Sequence, residues 1–122
     1  MAALNIAFES PDNSRGPTPS WERAIDLVHL GKQTMGDKAL EVEVLQMFAR
    51  QARSCLHEIA SGDETRIVAA SHKLKGAASA VGAFRVADAA GALECDAGDA
   101  AHMAAVTTCV VEAENFILKL SR

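Results

Sequence analysis

Near its C-terminus the chain sets Met103, Val106, Val110, Ala113, Ile117 and Leu120 at steps of 3, 4, 3, 4 and 3 residues. That spacing predicts a long helix with one narrow apolar seam, the pattern by which helices pack along one another in bundles. A helix with one such stripe gains most of its stability by burying it against other helices. The partners should be helices too. Residues are 49% hydrophobic but only 4% aromatic, and the excess is largely alanine, which suits close-packed helices better than β-branched and aromatic strands. With 122 residues there is room for one domain and one core.

The rest of the chain can be divided on the same principle. Residues 1–19 end in "SPDNSRGPTPS", whose proline, serine, asparagine and glycine predict a flexible leader. Ser20 is a candidate cap for a short helix starting at Trp21, with Ile25, Leu27 and Val28 on its apolar side and an end around Gly31 to Gly36. Asp37 should cap a long second helix carrying Leu40, Val44, Met47, Phe48, Cys55 and Ile59, broken by "SGD" at 61–63. Asp63 should cap a third, reaching about Val81, where "VGA" turns the chain into a fourth with Phe84, Ala87, Ala90 and Leu93. "DAGD" at 96–99 precedes the last. The expected fold is all-α: an antiparallel up-down four-helix bundle over residues 20–122, with a short additional N-terminal helix as a lid.

Charge and composition narrow the function. A net charge of −4, no Lys/Arg-rich run and few aromatic side chains leave no electrostatic footprint for nucleic acid. "MAALNIAFESPDNSRG" lacks the basic and apolar regions of a secretory signal. No apolar run approaches the roughly 18 residues of a membrane span, so no membrane association and a cytoplasmic location are expected. Cys55, Cys95 and Cys109 are odd in number and lack C-x-x-C spacing, as reduced thiols packed like small hydrophobes would be.

One stretch resists a purely architectural explanation. "SHKLKGAASAVG" at 71–82 lies within the third helix, yet it holds a glycine that costs about 1 kcal/mol relative to alanine. At about 100° per residue, Ile67, Ala70, Leu74, Ala77, Ala78 and Val81 gather on the core side, and His72 points nearly opposite to Leu74. Thr65, Val68, Ala69, Lys75, Gly76 and Ser79 share the side of His72. A solvated helix face normally carries long Glu, Lys and Gln side chains. Small residues around a projecting imidazole instead leave room for a partner to come close. Imidazole ordinarily titrates near neutrality, so it can act as an uncharged nucleophile without a buried base. A phosphoryl group accepted there would bring about two negative charges, which Lys75, one turn on, could meet with charge-assisted hydrogen bonds. Lys73 points aside and reads as a solvated basic edge.

"SHKLKGAASAVGA", with His-x-x-Lys-Gly followed by small residues, resembles the histidine-containing phosphotransfer (HPt) family. The flanking "MGDKALEVEVLQMF" and "VGAFRVADAAGALE" extend the resemblance to roughly residues 20–120. The resemblance implies a helical bundle that takes a phosphoryl group from an aspartyl phosphate on one receiver domain and hands it to another. It implies that His72 is the phospho-accepting residue, Lys75 its phosphate-neighbouring lysine, and Gly76 the glycine that admits the partner. Thr65, Val68, Ala69 and Ser79 would join Gly76 in docking. Val81 stands where a longer leucine is more usual, a change expected to affect packing and not chemistry.

A carrier, not a kinase, is the expectation. The chain has no glycine-rich nucleotide loop and no second domain for ATP. It should need no cofactor and no metal, any Mg²⁺ belonging to the partner. The expected partners are receiver domains of response regulators or hybrid histidine kinases, met by a monomer. One rival is a dimetal helical-bundle enzyme, suggested by Asp26-x-x-His29 and Asp99-x-x-His102, although such sites favour glutamate and require further inward carboxylates. The other is a structural or degenerate docking bundle, which the presence of both His72 and Lys75 disfavours.

Overall fold

Why the helices begin where they do is written in four aspartates. In the computed structural model, which describes residues 23–121, five helices follow in order: α1 Leu27–Thr34, α2 Lys38–Ile59, α3 Glu64–Val81, α4 Phe84–Cys95 and α5 Ala100–Ser121. There is no strand among the described residues. The side chains of Asp26, Asp37 and Asp63 accept N–H groups in the first turns of α1, α2 and α3. Asp99 Oδ1 does the same for Ala101 and His102. Each satisfies donors that a helix start would otherwise leave unpaired.

The first helix departs from expectation. Residues 23–25 form a bend and the helix starts at Leu27, because Asp26 supplies the cap. The leader, Ser20 and Trp21 lie outside the described residues. Ile25 is buried but precedes the helix, while Val28 is 59% exposed and Leu30 takes the inward position.

In α2 the apolar residues occupy two neighbouring stripes, and only one faces the core. Leu45, Phe48, Ala52, Cys55 and Ile59 are buried, a single run of 3, 4, 3 and 4 steps. Leu40 and Met47 are exposed and Val44 packs at the edge. In α5 the centre of the seam is buried at Val106, Val110, Ala113 and Ile117, whereas Met103 is half-buried and Leu120 exposed. The cysteines divide as well. Cys55 is buried, Cys109 intermediate and Cys95 exposed, all as free thiols, and burial pushes the first two above the ordinary thiol range.

The four longer helices close a ring: α3 packs on α2 and α4, and α5 on the same two. Arg53 of α2 grips Glu114 of α5 with Nε to Oε2 at 3.1 Å. Arg85 of α4 reaches Glu112 of α5 at 3.4 Å. The α1 helix lies against α2 and α3 and is tied to the α3–α4 corner. There the Asp26 N–H donates to the Gly82 carbonyl at 2.8 Å. His29 Nε2 donates to the Ala80 carbonyl at 3.2 Å, and its ring meets Phe84 edge-on.

Gly82 ends α3 in the left-handed region at φ 86°, where a Cβ is strained. A Cβ there would also stand 2.9 Å from the Asp26 carbonyl oxygen. Gly82→Ala is therefore expected to destabilise the fold by about 1–3 kcal/mol and loosen α1 from the corner. Chemical denaturation measures the first effect, and amide exchange at Asp26 the second.

Candidate functional site

The phase of α3 sets the site. Ile67, Ala70, Leu74, Ala78 and Val81 are buried, and that fixes the opposite side of the helix to solvent. The His72 side chain is 70% exposed. Thr65, Val68, Ala69, Gly76 and Ser79 are exposed along the same helix. Outside its own turn of helix, no atom lies within 4 Å of the position a Cβ on Gly76 would occupy, so packing against the rest of the domain does not require that glycine. Lys73 is turned about a quarter of the helix away, into the groove between α2 and α3 that Ser54, Cys55 and Glu58 line together with Thr65 and Ala69. The neighbouring Ser71 is fully buried, with a hydroxyl that meets no partner among the described residues, so it takes no part in the surface chemistry.

The neighbouring helix contributes a residue that the sequence reading passed over. Glu94 of α4 reaches His72 and Lys75 together: its Oε2 lies 2.7 Å from His72 Nδ1 and its Oε1 2.9 Å from Lys75 Nζ. Lys75 is thus not a free surface charge but half-exposed and paired. Gly91, one turn before Glu94, lies beside the stem of that lysine. A Cβ there would touch Lys75 Cδ at 3.4 Å, an ordinary contact, so the lysine stem runs close over the α4 backbone. The other ring nitrogen of His72, Nε2, has no partner among the described residues. A glycine and a glutamate at i and i+3 beside the inward Ala90 and Leu93 were the only signal in the sequence.

Two opposing effects act on Glu94. The hydrogen bond from Lys75, followed by that from His72, holds its carboxyl below the ordinary value of 4.5, against a smaller upward push from desolvation. The carboxylate is therefore the resident form at neutral pH. A depressed carboxyl pKa favours the folded arrangement above the ordinary Glu range, and that contribution is lost as pH falls through the lowered value.

The two carboxylate-x-x-His pairs do not share a site. Asp26 caps α1 and His29 Nε2 is engaged at the Ala80 carbonyl, near the start of α4. Asp99 and His102 lie beyond its other end, about 18 Å away along a 12-residue helix. At that end Asp96, Asp99 and His102 bring one ligand atom each within 4.8 Å of one another, but Asp99 Oδ1 is committed to capping. No two-metal carboxylate cage can be assembled from these pairs.

Among families, the Hpt domain model matches residues 43–116, more than half of the 122-residue chain and a span that holds His72, Lys75, Gly76 and Glu94. No match to a curated protein or to a solved structure was found.

Because Lys75 has the larger effect on Glu94, Lys75→Ala is expected to move the Glu94 titration back toward 4.5 further than His72→Ala does. Carbon-detected NMR titration of the side-chain carboxyl measures both. Equal small effects would mean that the paired geometry does not persist in solution.

Proposed function

The chain belongs to the Hpt domain family, and from that premise we propose that His72 is the residue that carries the phosphoryl group between receiver domains. Hpt domains are phosphotransfer carriers in phosphorelays and not autonomous kinases. The observation that carries the proposal for this chain is the exposed His72 imidazole beside Gly76, where even a Cβ would meet nothing.

The chemistry follows from that placement. An imidazole nitrogen attacks the phosphorus of a receiver's aspartyl phosphate, an N–P bond forms, and the bond from phosphorus to the aspartate oxygen breaks to release a carboxylate. The reverse sequence on a second receiver discharges the histidine. Binding, in-line orientation and any Mg²⁺ come with the receiver. The part of this chain is to present a nucleophile on a rigid helix, keep its surroundings low, and offer Lys75 to the incoming charge. While the histidine is bare, Glu94 holds that ammonium. An arriving phosphoryl group would compete for it.

Thr65, Val68, Ala69, Gly76 and Ser79 form the docking surface in this reading, which their common exposure along α3 supports. The scaffold is an up-down bundle with antiparallel neighbours, consistent with the short connections between helices and with the closed ring of packing. The domain acts as a monomer in the cytoplasm. No helix among the described residues is long and apolar enough to cross a membrane.

His72→Gln is expected to leave the fold intact, since the side chain is exposed, and to abolish acid-labile phosphorylation by a phosphorylated receiver. The wild-type chain with ATP and Mg²⁺ alone should remain unlabelled. Label on the variant would move the site elsewhere, and stoichiometric autophosphorylation would overturn the carrier reading.

Gly76→Gln should separate stability from function. The substitution is expected to raise stability by up to about 1 kcal/mol through helix propensity, while its side chain intrudes where the receiver docks and slows transfer. Thermal unfolding and transfer kinetics on the same preparation test both. A destabilised variant that transfers normally would contradict the proposed docking surface.

A further inference from the structure

We propose that Leu4, Ile6 and Phe8 seat in the apolar groove between α2 and α3 and shield the approach to Gly76 and His72 until a receiver displaces them. The docking stands on its own observations, and its consequence for transfer rests on the carrier reading of His72.

The second apolar stripe of α2 serves neither the core nor the histidine. Leu40, Val44 and Met47 follow one another at steps of 4 and 3 residues, and Leu40 and Met47 are 39% and 58% exposed. Val44 and Met47 form one wall of a groove whose other wall is Ala77, Ala80 and Val81 of α3, with Gln51 the one polar side chain in its lining. Single apolar side chains on a surface are ordinary, but a contiguous patch around a groove marks a binding surface. The groove runs up to the site. Ala80, Gly76 and His72 stand at successive steps of four, one above another on α3. Anything seated against Ala80 therefore reaches toward the space that Gly76 leaves open.

The chain carries a fitting occupant. Leu4, Ile6 and Phe8 put three large apolar side chains within five residues, and residues 9–20, "ESPDNSRGPTPS", contain no apolar side chain other than proline. That is an apolar anchor on a polar tether. The described chain begins beside the groove: the Asp26 N–H donates to the Gly82 carbonyl at 2.8 Å, and Gly82 follows Val81 of the lining. From Phe8 to Arg23 is 15 residues, a reach of up to about 50 Å. The whole of α3, at 18 residues, is about 27 Å long, so the groove lies within reach. Its volume is about 190 Å³, and a cavity of about 150 Å³ holds benzene, so the ring of Phe8 fits. The groove between α2 and α5 is a poorer match, since Arg50, Glu114 and Asn115 put charged and amide groups into its lining. Tethering supplies an effective concentration in the millimolar range, so a weak affinity is enough to keep the groove covered.

The test compares the 122-residue chain with a variant combining Leu4→Ser, Ile6→Ser and Phe8→Ser, which alters none of the five helices. With methyl and aromatic labelling, the wild-type chain should show nuclear Overhauser contacts from the Phe8 ring to the methyl groups of Met47 and Val44. Those methyl shifts should move in the variant and should not depend on protein concentration. Transfer from a phosphorylated receiver at subsaturating concentration should be about three- to tenfold faster in the variant, the gain expected when a site open in about a third to a tenth of molecules is uncovered. Absence of the Phe8 contacts, methyl shifts indifferent to the substitutions, or a wild-type transfer rate in the variant would each overturn the proposal. So would shifts that follow protein concentration, which would give the face to a second copy. Should no receiver label the wild-type chain, or label survive His72→Gln, the carrier reading fails, and the Phe8 contacts alone decide the docking.

Discussion

The packing of α3 on α4 is the contact on which the rest depends. Among the described residues it is the most extensive pairing of helices, and both helices bury small residues beside the larger Leu74 and Leu93: Ala70, Ser71 and Ala78 on one, Ala87 and Ala90 on the other. Small side chains let two backbones approach closely, and a close approach lets a glutamate on α4 reach a histidine and a lysine on α3. Larger residues along this seam would move α4 outward and pull Glu94 out of hydrogen-bonding range. The fold at this seam and the chemistry at its edge are therefore one constraint.

Two mid-helix glycines mark the same patch, and neither adopts the left-handed backbone that would explain it, since the positive-φ glycines are Gly36, Gly62 and Gly82. Each costs about 1 kcal/mol of helix propensity. The open space at Gly76 has no occupant within the domain, and Gly91 lies under the stem of Lys75. Local instability is concentrated where function needs a low surface and a guided side chain, a common place for a sequence to depart from its own structural rules. Elsewhere the chain follows them closely, with an aspartate at the start of four helices.

Much of this was legible in the sequence because it is local. Asp37 and Asp63 lie next to the helices they cap, Gly82 sits at the turn it makes, and the phase of α3 alone turns His72 outward and Leu74 inward. The phase of α2 was harder, because Leu40, Val44 and Met47 form a second apolar stripe beside the buried one and only the neighbouring helices select between them. The start of α1 was misplaced in favour of Ser20 when Asp26 was the working cap. Glu94 could not be read at all. Its partnership with His72 spans 22 residues and depends on the relative rotation of two helices, which periodicity within either helix does not specify. For the same reason the pairing of Lys75 with Glu94 could not be read from the sequence.

The central claim is that the low face around His72 is the surface a receiver approaches. Titrating ¹⁵N-labelled chain with a panel of receiver domains and following backbone amide shifts tests it most directly. For the receiver that binds, the expected changes centre on Thr65, Val68, Ala69, Gly76 and Ser79, with Glu94 perturbed through its bond to His72. The groove between α2 and α5, lined by Ala49, Arg50, Glu114 and Leu118, should stay unmoved. Changes centred on that groove, with the amides around Gly76 at rest, would contradict the account.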